Sequence, residues 1–265
     1  MLRSLEDLER YEVAATDGEI GDVVDFYFDD QRWAIRYLIV KTNSLFLGRQ
    51  VLISPISFRH VDWSTRRFEL ELTKDKVRYS PSVDVDKPVS RQHEWDYFRY
   101  YQYPFYWEQP GIWGNVAHPE FLEAGGKKDA PVGHSADIHL RSAREVRGYH
   151  IQGVDEEIGH VSDFIVDDET WELRYLVVDT SNWWLGKKVL IAPRWTDRIS
   201  WEENKVYLNL SRAAIKDSPE WDSGAAVNRE YEVRLYDYFG RPAYWKSGEE
   251  RAEAPPTHQS ASHPR

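Results

Sequence analysis

The chain has 265 residues, with 34 Lys and Arg against 45 Asp and Glu, a formal net charge of −11, and no cysteine. Its length suits two domains of ordinary size, its charge repels phosphate backbones and so argues against nucleic acid, and the missing thiols exclude disulfides, thiolate metal sites and cysteine nucleophiles. Hydrophobic residues at 41% and charged residues at 30% are a globular composition.

The opening stretch MLRSLEDLERYEV has no apolar signal-peptide core, and Glu6, Asp7 and Glu9 argue against a transit peptide. Apolar runs such as YLIV fall far short of the roughly 20 residues that cross a bilayer. A cytoplasmic protein without an integral membrane segment is expected. TDGEIG places an Asp-Gly turn before a strand. Val23–Phe28 then alternates, with Val24, Phe26 and Phe28 on one face and Asp25 and Tyr27 on the other. DDQRW is a polar turn, and Ile35–Val40 is nearly all apolar, so that strand is covered on both faces. The register around the turn puts Asp25 opposite Arg36. It also turns Phe26, Trp33, Ile35, Tyr37 and Ile39 inward and leaves Tyr27, Leu38 and Val40 in need of a cover. Val51–Ile53 is a short buried strand ended by Pro55, and FELEL at Phe68–Leu72 alternates cleanly. TKDKVRYSP closes the unit with a helical turn that ends at a proline.

The same sentence is then repeated. Shifting the chain by 138 positions aligns Ser4–Trp107 with Ser142–Trp245 without a gap, and roughly a third of the pairs are identical. The identities include Tyr11/Tyr149, Ile20-Gly21/Ile158-Gly159, Asp29-Asp30/Asp167-Asp168, Trp33/Trp171 and Arg36-Tyr37-Leu38/Arg174-Tyr175-Leu176. They continue through Leu47-Gly48/Leu185-Gly186, Pro55/Pro193, Trp63/Trp201, Ser80-Pro81/Ser218-Pro219, Pro104/Pro242 and Tyr106-Trp107/Tyr244-Trp245. Two copies of so long a unit are two domains, not a solenoid. Each reads as five or six short strands and a terminal helical turn, a small β-barrel.

Asp-Gly-x-Ile-Gly, the Asp-rich turn, RYLIV, the Gly-containing loop, VLISP and the closing Ser-Pro together resemble the PRC-barrel family, named for the cytoplasmic domain of the photosynthetic reaction centre H subunit. The resemblance covers Leu5–Pro81 and Ala143–Pro219. It implies an all-β fold of two tandem small PRC-type, SH3-like barrels used for protein–protein contact, with no catalytic residue, cofactor or metal as a family property. On this reading the chain is expected to be without the membrane helix of the H subunit and without the extra N-terminal domain of the ribosome maturation factor that carries the same barrel. It resembles free-standing two-barrel bacterial proteins. The expected domains are barrel 1 at 4–81, an aromatic-rich extension at 82–114 and a linker at 115–141. Barrel 2 follows at 142–219, then its extension at 220–246 and a disordered tail at 247–265.

Candidate chemistry is sparse. Asp25, Asp29 and Asp30, with Asp163, Asp167 and Asp168, form the one acidic cluster present in both copies, but no calcium-loop spacing follows them; DVDKPVS at Asp84 lacks the glycine and the terminal glutamate. Aspartate in a tight turn is the better reading of Asp29 and Asp30. None of the nine histidines recurs at the shifted position, and no HExxH, G-x-S-x-G or Gly-x-Gly phosphate loop occurs.

The aromatic run WDYFRYYQYPFYW (Trp95–Trp107) stands out. It reads either as a plug for the face of a barrel or as a docking arm, with Trp95, Tyr97, Tyr100, Tyr103 and Trp107 as contacts. Trp183 and Trp184, where copy one has Leu45 and Phe46, sit beside Lys187 and Lys188 with the composition of an interface anchor. The resulting expectation is a non-catalytic protein-binding or scaffolding module with pseudo-two-fold symmetry, its aromatic segments packing across the seam. The partner is an unidentified protein, a second copy in a homo-oligomer, or a membrane complex bound peripherally. An accessory subunit of a photosynthetic or electron-transport complex is the rival reading; a carbohydrate binder or enzyme using the aromatics is the rival of another class.

Overall fold

The computed structural model describes residues 1–43, 49–81, 89–108, 111–122, 139–180 and 186–245. Trp183, Trp184, Leu45 and Phe46, most of the 115–141 linker and the 247–265 tail lie outside the described residues. Among the described residues the secondary-structure elements are mostly strands, in two seven-stranded sheets of the same order.

In the first half, β2 (Glu12–Ala15), β3 (Gly18–Asp29), β4 (Ala34–Thr42), β5 (Gln50–Ile53), β6 (Phe58–Asp62) and β7 (Arg67–Leu70) run in the order β5-β4-β3-β2-β7-β6, with β2 parallel to β7. In the second half, β9 (His150–Gln152), β10 (Glu157–Asp167), β11 (Leu173–Asp179), β12 (Lys188–Ile191), β13 (Thr196–Ser200) and β14 (Lys205–Leu208) repeat it. The repeated Ile-Gly has a packing reason. A Cβ on Gly21 would lie 2.1 Å from the Lys41 carbonyl oxygen, and one on Gly159 would lie 2.0 Å from that of Asp179. Only a residue without a side chain lets β3 and β10 approach their neighbours so closely.

The seventh strand of each sheet comes from the other half. β1 (Leu2–Ser4) pairs with β10, and β8 (Leu140–Ser142) pairs with β3. Each crossing strand leads into one helical turn, α1 (Leu5–Leu8) or α4 (Ala143–Val146), capped by Ser4 or Ser142. The exchange is reciprocal, as an isologous contact requires. Buried side chains of both halves form one cluster, with Phe28 and Phe164 meeting at 5.5 Å between ring centroids.

The hairpin tips also interlock. Trp33 and Trp171 adopt left-handed backbone, with φ of 53° and 59°, which costs on the order of 1–3 kcal/mol in a non-glycine residue. Each turns its carbonyl across the seam: Leu173 N donates to Trp33 O at 2.7 Å, and Ile35 N donates to Trp171 O at 2.8 Å.

Two expectations are corrected. Asp25 does not face Arg36: the hairpin closes at Asp29↔Ala34, and a bulge between Tyr27 and Phe28 passes over Arg36 and pairs Asp25 with Ile39. Asp29 takes Arg36 instead, at 3.1 Å, and Asp167 takes Arg174 at 3.3 Å. The aromatic run does not pack chiefly across the seam either. It forms a helix, α3 (Arg91–Tyr101), against its own half, where Tyr97 meets Tyr37 edge-on at 5.2 Å. Tyr27, Leu38 and Val40 are 6% exposed or less, and α3 covers the opposite face of β4, where Tyr37, expected inside the barrel, meets Tyr97 and Glu94 of that helix.

Candidate functional site

The short helices follow from local chemistry. After β7, α2 (Lys74–Arg78) starts at Thr73, whose Oγ1 accepts the Lys76 N–H; in the second half α5 (Arg212–Asp217) starts at Ser211. α3 begins at Ser90, which caps His93 N at 3.2 Å, and stops at Gln102 in left-handed backbone. Its counterpart α6 (Arg229–Phe239) begins at Asn228 and stops at Gly240. The buried face of α3 carries Glu94, Trp95, Tyr97, Phe98 and Tyr101, the spacing of an amphipathic helix.

Glu94, fully buried, is the hub of the first half. Its Oε1 accepts from Tyr106 Oη at 2.7 Å and from Tyr37 Oη at 3.0 Å; its Oε2 faces Arg91 Nη1 at 3.0 Å and His139 Nε2 at 3.0 Å. Burial, with the Glu94 charge beside them, pushes both phenols well above their ordinary range. Burial disfavours the charged His139 imidazole, but the hydrogen bond and charge of Glu94 outweigh it and raise its pKa. Glu232 repeats the arrangement with Tyr175, Tyr244 and Arg229 at 2.7, 2.9 and 2.9 Å. A carboxylate engaged on both oxygens and shut from solvent serves as a clasp between helix and sheet. Sequence reasoning missed it, although Arg-x-x-Glu recurs at 138 positions in both aromatic segments.

The acidic cluster divides in two. Asp29 Oδ1 accepts the Gln31 and Arg32 N–H groups, the tight-turn role expected of it. Asp30 and Asp168 reach across the seam, to Arg141 at 3.0 Å and to Arg3 at 2.6 Å. Those arginines in turn lie over Trp201 at 4.0 Å and Trp63 at 3.5 Å. Asp25 accepts from Ser142 Oγ and Arg144 N, and Asp163 from Ser4 Oγ and Glu6 N. Burial raises both carboxyls, Asp163 to about 6, against the pull of the hydroxyl bonds. Among the described residues, no group of three or more His, Asp or Glu is placed to hold a metal ion.

The candidate contact residues separate by exposure. Tyr97 is 1% exposed, with its Oη accepting Ser54 N at 3.0 Å and donating to Leu52 O at 3.2 Å. Trp95 is 9% exposed. Tyr100, Tyr103 and Trp107 are half-buried at the surface of the same helix and the turn behind it. Lys187 Nζ donates to Ser218 O at 2.6 Å, replacing the bonds that Arg49 makes to Val77 O and Arg78 O in the first half. Lys188 is half-buried at the start of β12. A cleft of about 360 Å³ opens at the seam, lined by Arg3, Tyr11, Trp63, Arg66, Trp221 and residues 223–227 among others.

Residues 139–214 match the PRC-barrel domain family model. No curated protein matches the chain. No helix among the described residues is long and apolar enough to cross a membrane.

Proposed function

We propose, from the premise that this chain belongs to the PRC-barrel family through residues 139–214, that it is a non-catalytic protein-binding module of the cytoplasm. In this reading the first half is a second barrel of the same kind. The observation that carries it is where the ionisable side chains go. In both halves carboxylates, their arginines and the tyrosine hydroxyls close on one another, buried at Glu94, Glu232 and Asp29 and half-buried at Asp167. Groups so engaged bind no substrate. They hold a rigid frame, and rigid frames with aromatic surface residues suit recognition.

The contacts assigned to the partner are Tyr100, Tyr103 and Trp107, with Lys188 and the Trp183-Trp184 pair as a second set. The test is affinity capture from native lysate with wild type, Tyr100→Ala and Trp183→Ala/Trp184→Ala. A protein recovered in comparable amount with wild type and lost with one variant is the expected result. An unchanged captured set in both variants removes the contact assignment. Turnover of a glycan or ester by the purified chain removes the binding reading itself.

A further inference from the structure

The first-half wall of the seam cleft is built from residues that mostly recur 138 positions on: Arg3/Arg141, Ser4/Ser142, Tyr11/Tyr149 and Trp63/Trp201. Two polar positions differ. In the second half Tyr149 Oη donates to Glu145 Oε1 at 3.3 Å. The residue matching Glu145 in the cleft is Asp7, one methylene shorter. The Tyr11 hydroxyl has no partner among the described residues, although Tyr11 is only 7% exposed and lines the cleft. The shorter acid leaves both a carboxylate and a phenol open.

The second difference is Arg66, where the other half has Asn204. Both adopt left-handed backbone, with φ of 58° and 52°, a conformation that asparagine tolerates better than arginine. Arg66 lines the cleft, and its guanidinium forms no bond among the described residues. The other cation of the lining, Arg3, is engaged: its Nε donates to Asp168 at 2.6 Å and its guanidinium lies 3.5 Å over the Trp63 ring. The lining therefore offers one unpaired cation, Arg66, and one unpaired anion, Asp7, both exposed where the cleft meets water. Leu8, Ile165 and Val227, all buried, supply an aliphatic wall.

We infer that the seam cleft binds a small zwitterion, an aliphatic α-amino acid. A simple anion would meet Asp7 and a simple cation would meet Arg66, whereas a ligand with both charges satisfies each. Its carboxylate accepts from the Arg66 guanidinium and the Tyr11 hydroxyl, its ammonium donates to Asp7, and its side chain lies on the aliphatic wall. A volume of about 360 Å³ is that of a small-molecule site. The site shares no residue with the partner contacts assigned above, so it goes beyond the protein-binding reading.

The test titrates L-leucine into the full chain by calorimetry, beside N-acetyl-leucine, which lacks the ammonium, and leucinamide, which lacks the carboxylate. Millimolar or tighter binding of leucine, weakened about tenfold in each blocked analogue, is expected. Arg66→Asn gives the turn the second half's residue, and it should weaken leucine about tenfold with a melting temperature no lower than that of wild type. Tyr11→Phe keeps the ring packing and should weaken leucine about fivefold. Leucine that fails to bind at millimolar concentration, a blocked analogue that binds as well as leucine, or an Arg66→Asn chain that binds like wild type overturns the assignment. None of these outcomes touches capture of a protein through Tyr100 or Trp183-Trp184, so the two readings fail separately.

Discussion

The two halves carry the same clasp but close it differently. In the first, the fully buried Arg36 lies 3.8 Å from the Tyr106 ring and 4.7 Å from that of Trp113, and donates to Ile112 O at 2.6 Å. Trp113 then donates to Thr170 O of the other half at 2.8 Å, and His139 comes in beside Glu94. In the second, Arg174 pairs with Glu172 at 2.6 Å and lies over Tyr244, with no imidazole at the cluster among the described residues. The lesson is that the duplicated residues make the frame, whereas the residues that differ decide how tightly each frame is sealed and what its surface offers.

The clasp gives the largest expected contrast. Glu94→Ala strands two phenols, Arg91 and His139 in a dry site, and is expected to cost about 3–5 kcal/mol in urea unfolding. Glu232→Ala should cost about 2–3 kcal/mol, because Arg229, with 54% of its side chain exposed, can turn to water. Equal losses would remove the distinction between sealed and open clasps.

The hairpin tips sharpen the comparison next. Trp171 is 2% exposed and packs on Phe58 and Phe68 at 5.1 and 6.0 Å, so Trp171→Ala should cost about 3–4 kcal/mol. Trp33 is half-buried against Phe28, and Trp33→Ala should cost about half as much. Thermal unfolding of both variants measures this, and a Trp33 effect as large as that of Trp171 contradicts it.

The seam gives a smaller, pH-dependent effect. Burial raises Asp163 from 3.8 to about 6, so the folded chain holds that proton more tightly than the unfolded chain does. The corresponding stability is fully present below pH 3.8 and lost as pH rises through about 6, of order 2 kcal/mol. Asp25 is raised too and acts with the same sign. Asp163→Asn should flatten the change in urea midpoint between pH 4 and pH 7; a slope unaltered by that change would place the linked proton elsewhere.

Much of the architecture was legible because it is written in local periodicity and written twice. Strand alternation, the Asp-Gly turn and the α2 and α5 turns before Ser-Pro all depend on near neighbours. Other features were not legible. The 11-residue helices α3 and α6 were passed over because both carry charged residues among their aromatics and α3 has aromatics outside its buried face as well. The Asp25 pairing failed because the hairpin closes at Asp29↔Ala34 and the bulge between Tyr27 and Phe28 then changes every partner beyond it. The hub at Glu94 was passed over because an isolated glutamate reads as surface until a fold encloses it.

By itself the amino-acid sequence determined that there are two copies, that each is made of short strands, and where turns and helix caps fall, since these depend on residues close in the chain. Only the tertiary structure decided that β1 and β8 trade places, that Asp25 and Asp163 bind the other half's serines, and that Glu94 and Glu232 are buried hubs. Those pairings join residues 57 to 165 positions apart. A side chain's partner over such a span is set by how whole sheets pack, which local pattern does not encode.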